Sequence, residues 1–225
     1  MIARVYGARG EAVPSQSAVF LSGNPGYRPN WEIYRRRPDR ARRLLEQAGC
    51  GLGADRIYIC AGERLALRVA TTTAASRVQA LQLIQSQLRQ VGIVVDSVYT
   101  TTRILSTQIL PSGDFDLALF NWVRVDPAAP STTGDLYGCG GQDNYAGYCQ
   151  RLVTKDLDQA RRILDSARLA HVLNRADAQL AKDVPVIPIA ERPVLAAYDS
   201  SVRGVNLNTR AWNPLAGAED WWLDD

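Results

Sequence analysis

Histidine, methionine and lysine are almost missing from this 225-residue chain: His171, Met1, and the pair Lys155 and Lys182 are all there is of them. A single histidine excludes a His-rich metal centre, and with no C-x-x-C spacing a Cys/His zinc set cannot be completed. No run approaches the ~18 consecutive apolar residues of a membrane span. There is no G-x-S-x-G elbow, no H-E-x-x-H, no Walker loop and no G-x-G-x-x-G after a strand, so the familiar routes to catalysis, metal chemistry and nucleotide binding lack their residues. The N-terminus MIARVYGARG is neither a signal peptide nor a lipobox.

What is present is ordinary globular material, 46% hydrophobic and 22% charged, enough for a substantial core. Basic residues number 26 against 23 acidic, a net +3, too balanced to point to nucleic acid. Arginine supplies nearly all the positive charge, which reads as compositional bias. Arg28, Arg35, Arg36, Arg37, Arg40, Arg42 and Arg43 lie within sixteen residues. With Glu32, Asp39 and Glu46 among them and no aromatics beyond Trp31 and Tyr34, the cluster reads as a solvated helix face rather than an RNA groove.

The four cysteines fall as Cys50 with Cys60 and Cys139 with Cys149, each pair ten positions apart in a glycine-containing stretch. Two short disulfide-closed loops suit an oxidising compartment; four free buried thiols in a reducing one is the alternative.

Residues 1–37 are irregular, with an extended patch at 18–21. Residues 38–48 predict a short amphipathic helix with Asp39 as N-cap and Gly49 as its stop. Alternation over 64–71 predicts a strand, helical spacing over 76–91 a helix ended by Gly92, and 93–99 and 115–123 two further strands, with 102–110 ambiguous. Strand, helix, strand with short connections makes a βαβ unit, hence an α/β fold with helices on a mixed sheet. Residues 124–150 read as a long loop, 155–166 and 168–182 as helices, 183–198 as a proline-punctuated strand pair, and 201–225 as an extended, Trp-rich tail. The expected organisation is an irregular segment 1–37, an α/β lobe 38–200 and the tail 201–225.

The succession RPDRARRLLEQAG, GERLALRVATT, RVQALQLIQSQLRQVGIVVD, GDFDLALFNW, NYAGYC and LAKDVPVIPIAERP resembles the family-5 extracellular solute-binding proteins, the receptors of peptide-type and nickel-type ABC importers. The resemblance implies one lobe, the second, of a type II (class C) periplasmic-binding-protein clamshell, with the N-terminal lobe missing and the abrupt start at Met1 explained. It implies an extracytoplasmic protein whose parent is lipid-anchored. Its partners would be a small solute or oligopeptide ligand and, through the full-length protein, ABC permease subunits, with no cofactor, metal or nucleic acid.

Trp122, after the FDLALFN strand, corresponds to a position that faces the ligand cleft in the family. Peptide-binding members place an aspartate three residues later to meet the ligand's α-ammonium group; here Val125 stands there, and Asp126 is displaced by one residue, which in extended chain points the other way. Arg124, Tyr137, Asn144 and Tyr145 complete the candidate ligand-binding set. Trp212, Trp221 and Trp222 are expected to pack against the first lobe. Two other readings stay open: a sensor or chaperone built on the same fold, and a Cys/His-dependent hydrolase using His171.

Overall fold

The computed structural model describes Val5 and residues 13–122, 129–191, 197–205 and 217–224. Contacts group these into two compact units, Tyr34–Asn121 and, separately, 13–33 with 122–224. Residues 17–31 are held in the second unit by side chains more than a hundred positions away, which local sequence texture does not display.

In the first unit, helix α1 (Pro38–Gln47) begins one residue before the expected cap. Proline's locked φ fits the first helical position, so Arg37 takes the cap position and Asp39 falls inside the first turn, where it pairs with Arg42 at 2.9 Å. After Gly49, at φ +83°, a small antiparallel meander follows, β2 (Gly51–Leu52), β3 (Tyr58–Cys60) and β4 (Glu63–Arg64). The Tyr58 hydroxyl donates to Glu46 of α1 at 3.1 Å, and the Cys50–Cys60 disulfide closes the turn between them.

The expected βαβ unit is formed by β5 (Ala66–Thr72), α2 (Ala75–Arg89) and β6 (Val94–Thr100), and β7 (Leu117–Leu119) joins the other edge of β5. All pairings are parallel, with Ala66 opposite Val94 and Val69 opposite Leu117. Alternation aims Leu65, Leu67 and Val69 at one face, and Val69, Leu81 of α2 and Val95 of β6 form the core, packed by Leu67, Leu88, Leu117 and Leu119. Helix α2 ends where Gly92 adopts φ +82°; a side chain there would meet the Tyr58 ring at 2.7 Å. The ambiguous segment is helical: α3 (Thr102–Ile104) runs on through a wider π-helical stretch, Leu105–Ile109, into Leu110–Ser112, with Leu105 and Leu110 buried.

The second unit is largely helical. Inside the expected 124–150 loop lies α4 (Pro130–Tyr137), whose Ser, Thr and Gly residues hide it from propensity reasoning; burial of Thr133, Leu136 and Tyr137 stabilises it instead. Helix α5 (Arg151–Ala160) starts at Gln150, whose side chain accepts from Leu152 N, and α6 (Ser166–Asp183) at Asp165, which accepts from Arg168 N at 2.7 Å. Their apolar faces, with Val153, Leu157, Leu173, Ala176 and Leu180, enclose the core with Val19, Phe20 and Trp31.

The extended patch expected at 18–21 is bent instead, because the Ser17 hydroxyl accepts from the backbone N–H of Val19 and Phe20, at 3.1 and 2.9 Å. The strand pair expected in 183–198 is represented by β8 (Ala190–Glu191), which pairs antiparallel with β1 (Val13–Pro14); residues 192–196 lie outside the described residues. In the tail, β9 (Val202–Arg203) and β10 (Trp222–Leu223) form a short antiparallel pair.

The carboxylate of Asp177, fully buried in α6, accepts four hydrogen bonds: from Ser17 Oγ (3.0 Å), Ala18 N (2.9 Å), Asn30 Nδ2 (2.7 Å) and the Trp31 indole (3.0 Å). One turn earlier, Asn174 donates to the carbonyl of Gly26 at 2.7 Å. Gly26 sits at φ +84° with Ala170 where its Cβ would be, 2.5 Å away. The irregular segment is thereby tied to α6 by polar contacts that burial makes costly to leave unmade.

Asp177→Ala strands these donors and is expected to destabilise the second unit by about 4 kcal/mol. A drop of under about 1 kcal/mol in denaturant unfolding would contradict it. Both disulfides are formed, so denatured, unreduced protein should titrate no free thiol, and reduction should remove roughly 3 kcal/mol of stability per loop.

Candidate ligand-binding site

The chain between Cys139 and Cys149 is a tightly braced loop, closed by the disulfide and held inside by Asn144. The Asn144 amide donates to the carbonyls of Gly138 (2.9 Å) and Tyr148 (2.6 Å), and its oxygen accepts from Tyr148 N at 3.1 Å. Asp143 N donates to the Asp135 carbonyl at the end of α4, and the Cys139 N–H to Thr154 of α5. At the far side, Tyr148 donates to Asp183 at 2.7 Å; burial, and then that hydrogen bond, push its hydroxyl above the ordinary tyrosine range.

This brace presents Tyr145. Its hydroxyl donates to Asp143 at 3.2 Å, and its ring lies against Trp122, centroids 5.9 Å apart and planes 7° from parallel. That is an offset stack of two rigid rings, a geometry worth about 1 kcal/mol beyond the area it buries. Trp122 remains 38% exposed despite its size. Two concavities on the same unit are lined by other residues: one of about 750 Å³ along α5 and the turn into α6, from Arg151 to Arg168, and one of about 250 Å³ beneath the loop, around Gly134, Gly141 and Arg161. The aromatic pair lines neither, and forms a rigid, partly exposed platform of its own.

Of the candidate residues, Trp122 and Tyr145 are brought together, although 23 positions separate them. Tyr137 is buried in the core with its hydroxyl donating to the Ala18 carbonyl at 3.1 Å, and Asn144 is occupied by the loop it braces. Tyr137 therefore braces the core and Asn144 the loop that carries Tyr145. Arg124 and Asp126, with Val125 between them, lie outside the described residues, as does Trp212. Trp222 is 58% exposed and lies over Gly204, while Trp221 is half-buried.

The sequence reasoning missed Asp177 and Tyr148. An aspartate, with Asn174 one turn before it, in a mainly apolar helical stripe was the available signal for the first; nothing local marks the second.

His171 is exposed on α6, and all four cysteines are in disulfides, so no thiolate is available for a Cys/His nucleophile. Among the described residues no three His, Cys, Asp or Glu side chains gather as a metal site, and no helix is long and apolar enough to cross a membrane.

Residues 1–144 match the family model described as bacterial extracellular solute-binding proteins, family 5 Middle. The chain belongs to that family. A curated relative, the oligopeptide-binding protein OppA of Mycobacterium tuberculosis, is 26% identical over 204 residues, covering 89% of this chain but 34% of the relative. The chain thus spans about a third of the length of the curated relatives it matches.

Among solved structures, the oligopeptide-binding protein AppA of Bacillus subtilis, in complex with a nonapeptide, aligns with a TM-score of 0.76 at 18% identity, over 100% of this chain and 44% of that one. NikZ of Campylobacter jejuni, in complex with Ni(L-His), aligns at 0.74 and 20% identity, over 93% and 43%. The α/β fold of this family-5 protein is that of periplasmic binding proteins, as its parallel sheet and flanking helices indicated, and its relatives are binding proteins.

Asn144→Ala is expected to cost about 2 kcal/mol through three lost hydrogen bonds, whereas Tyr145→Ala should cost about 1 kcal/mol, since it removes a half-exposed ring and leaves the brace intact. Denaturant melts of the two variants check the order; the reverse order would show that the ring, not the amide, holds the loop.

Proposed function

We propose that this chain is a lobe of the substrate-binding component of an ABC importer, capturing a peptide or another small solute outside the cell and delivering it to a membrane permease. The observation that carries the reading is the stacked Trp122–Tyr145 platform, rigid, partly exposed and held by a disulfide-closed loop, in a chain of the extracellular solute-binding family. A preorganised aromatic surface contributes contact area at low entropic cost, which is what a ligand site needs of its walls. A stacked ring pair encloses little by itself. Capture then requires a second surface, supplied by the rest of a longer receptor whose closure buries the ligand. Residues 1–37, 38–200 and 201–225 would serve that receptor as crossover, lobe and return segment. The parent would be extracytoplasmic and held by a lipid anchor, and the chain works by binding, without catalysis.

Specificity follows from the chain after Trp122. With Val125 where peptide-binding members of the family carry the ammonium-pairing aspartate, an anchor for the ligand's amino terminus falls to Asp126 or is absent. Arg124 is the cation at hand for a ligand carboxylate.

Calorimetry on the longer receptor, with a defined nonapeptide and with a nickel–histidine complex as probes, tests this. Trp122→Ala should weaken binding of the accepted probe by more than about tenfold. Acetylating the peptide's amino terminus should change its affinity less than about twofold in wild type if Asp126 does not serve, and Asp126→Asn should then be silent. Unchanged affinity in Trp122→Ala would sink the platform as the ligand surface.

A further inference from the structure

The positive charge of the chain is concentrated in one place. Residues 35–43 carry six arginines against Asp39, while the remainder holds 20 basic and 22 acidic side chains, a small net negative charge. These nine residues lead into and form most of α1, a helix with no buried residue.

Arg36 and Arg42 have structural work: Arg36 donates to the Gln90 side chain at 3.1 Å and Arg42 to the Gln90 carbonyl at 2.8 Å, securing α1 beside the end of α2. Arg37, Arg40 and Arg43 do not. All three are exposed, and their side chains make no hydrogen bond or ion pair among the described residues; Arg37 at the N-cap and Arg40 and Arg43 in the helix follow one another at spacings of three along one face. Leu44, 53% exposed and four positions after Arg40, lies on that face too.

The helix gains nothing from this arrangement. Like charges three apart repel, and arginines at the cap and in the first turn oppose the positive end of the helix dipole. Folding alone would favour their replacement.

We propose that this face of α1 docks the protein on an anionic lipid surface, with the guanidinium groups of Arg37, Arg40 and Arg43 on headgroup phosphates and Leu44 at the acyl boundary. A planar, weakly hydrated cation suits phosphate, and an apolar residue among cations on one helix face is the pattern of an interfacial helix. Nucleic acid fits less well. Of the cluster's two aromatics the indole of Trp31 is buried and bonded to Asp177, which leaves Tyr34, 49% exposed, as one ring at the surface where a stacking groove needs several. The inference rests on the extracellular placement given above and is independent of the solute carried.

Cosedimentation of the 225-residue chain, without any solute, with vesicles of phosphatidylcholine and about one-third phosphatidylglycerol tests it. The chain should bind these vesicles, release them as salt rises from about 0.05 to about 0.5 M, and ignore pure phosphatidylcholine. Each docking arginine should contribute about fivefold, so the combined Arg37→Gln, Arg40→Gln and Arg43→Gln variant should lose on the order of a hundredfold in partition, with an unfolding midpoint at or above wild type. Leu44→Ala, a single exposed change, should lose several-fold. The equally charged control Arg151→Gln, Lys155→Gln and Arg162→Gln should bind nearly as wild type does.

Equal loss in the control would reduce the effect to net charge and overturn the assignment. So would equal binding to neutral vesicles, or displacement from anionic vesicles by stoichiometric single-stranded RNA. None of these results touches the aromatic platform, which is tested separately by solute binding.

Discussion

A single buried carboxylate organises the second unit. Asp177 is fully enclosed, and four donors fill the acceptor sites of its two oxygens. Burying a carboxylate is expensive unless its acceptor sites are filled, and these four donors offset the cost. The consequence is directional. Residues 17–31, which have no regular secondary structure, must take the one path that brings Ser17, Ala18, Asn30 and Trp31 to α6. That path places Val19 and Phe20 in the core and the Ala18 carbonyl where Tyr137 can donate to it. From Tyr137 the chain enters the disulfide-closed loop that presents Tyr145. The platform is thus connected to the carboxylate through a short series of packed and hydrogen-bonded groups.

The first unit follows a different logic. Its parallel sheet is made from residues whose pattern is local: alternating Leu65, Leu67 and Val69, helical spacing through Leu81 and Leu88, then Val94 onward. Such periodicity is readable because each element is specified by its own neighbours in sequence. The βαβ unit, the stop at Gly92 and the start of α1 to within two residues were therefore legible. The second unit was legible in α6, expected over 168–182, only in part in α5, expected over 155–166 and found at Arg151–Ala160, and opaque elsewhere. Helix α4 has poor intrinsic propensity and exists because the core receives Leu136 and Tyr137. The strap from 15 to 31 is held by partners about 150 positions away, a relation that composition does not encode.

The site divides in the same way. Trp122 was visible through its place after an apolar strand, and Tyr145 through its glycine-rich, cysteine-bounded loop, but their stacking depends on tertiary structure. Tyr137 and Asn144 carry the same residue types as ligand contacts and turn out to hold the structure, because every polar atom of the Asn144 side chain is committed within its own loop and Tyr137 is inside the core. Polar residues in a loop are candidates for function only after the loop's own hydrogen bonding is satisfied.

The central claim is that the Trp122–Tyr145 platform is the ligand-facing surface of a solute-binding receptor. Native mass spectrometry of the longer receptor, purified without denaturation, addresses it most directly. The account predicts a small-solute adduct on the wild-type protein that is lost or strongly diminished when the platform is removed by Trp122→Ala and Tyr145→Ala. An adduct of unchanged abundance on that variant would contradict it.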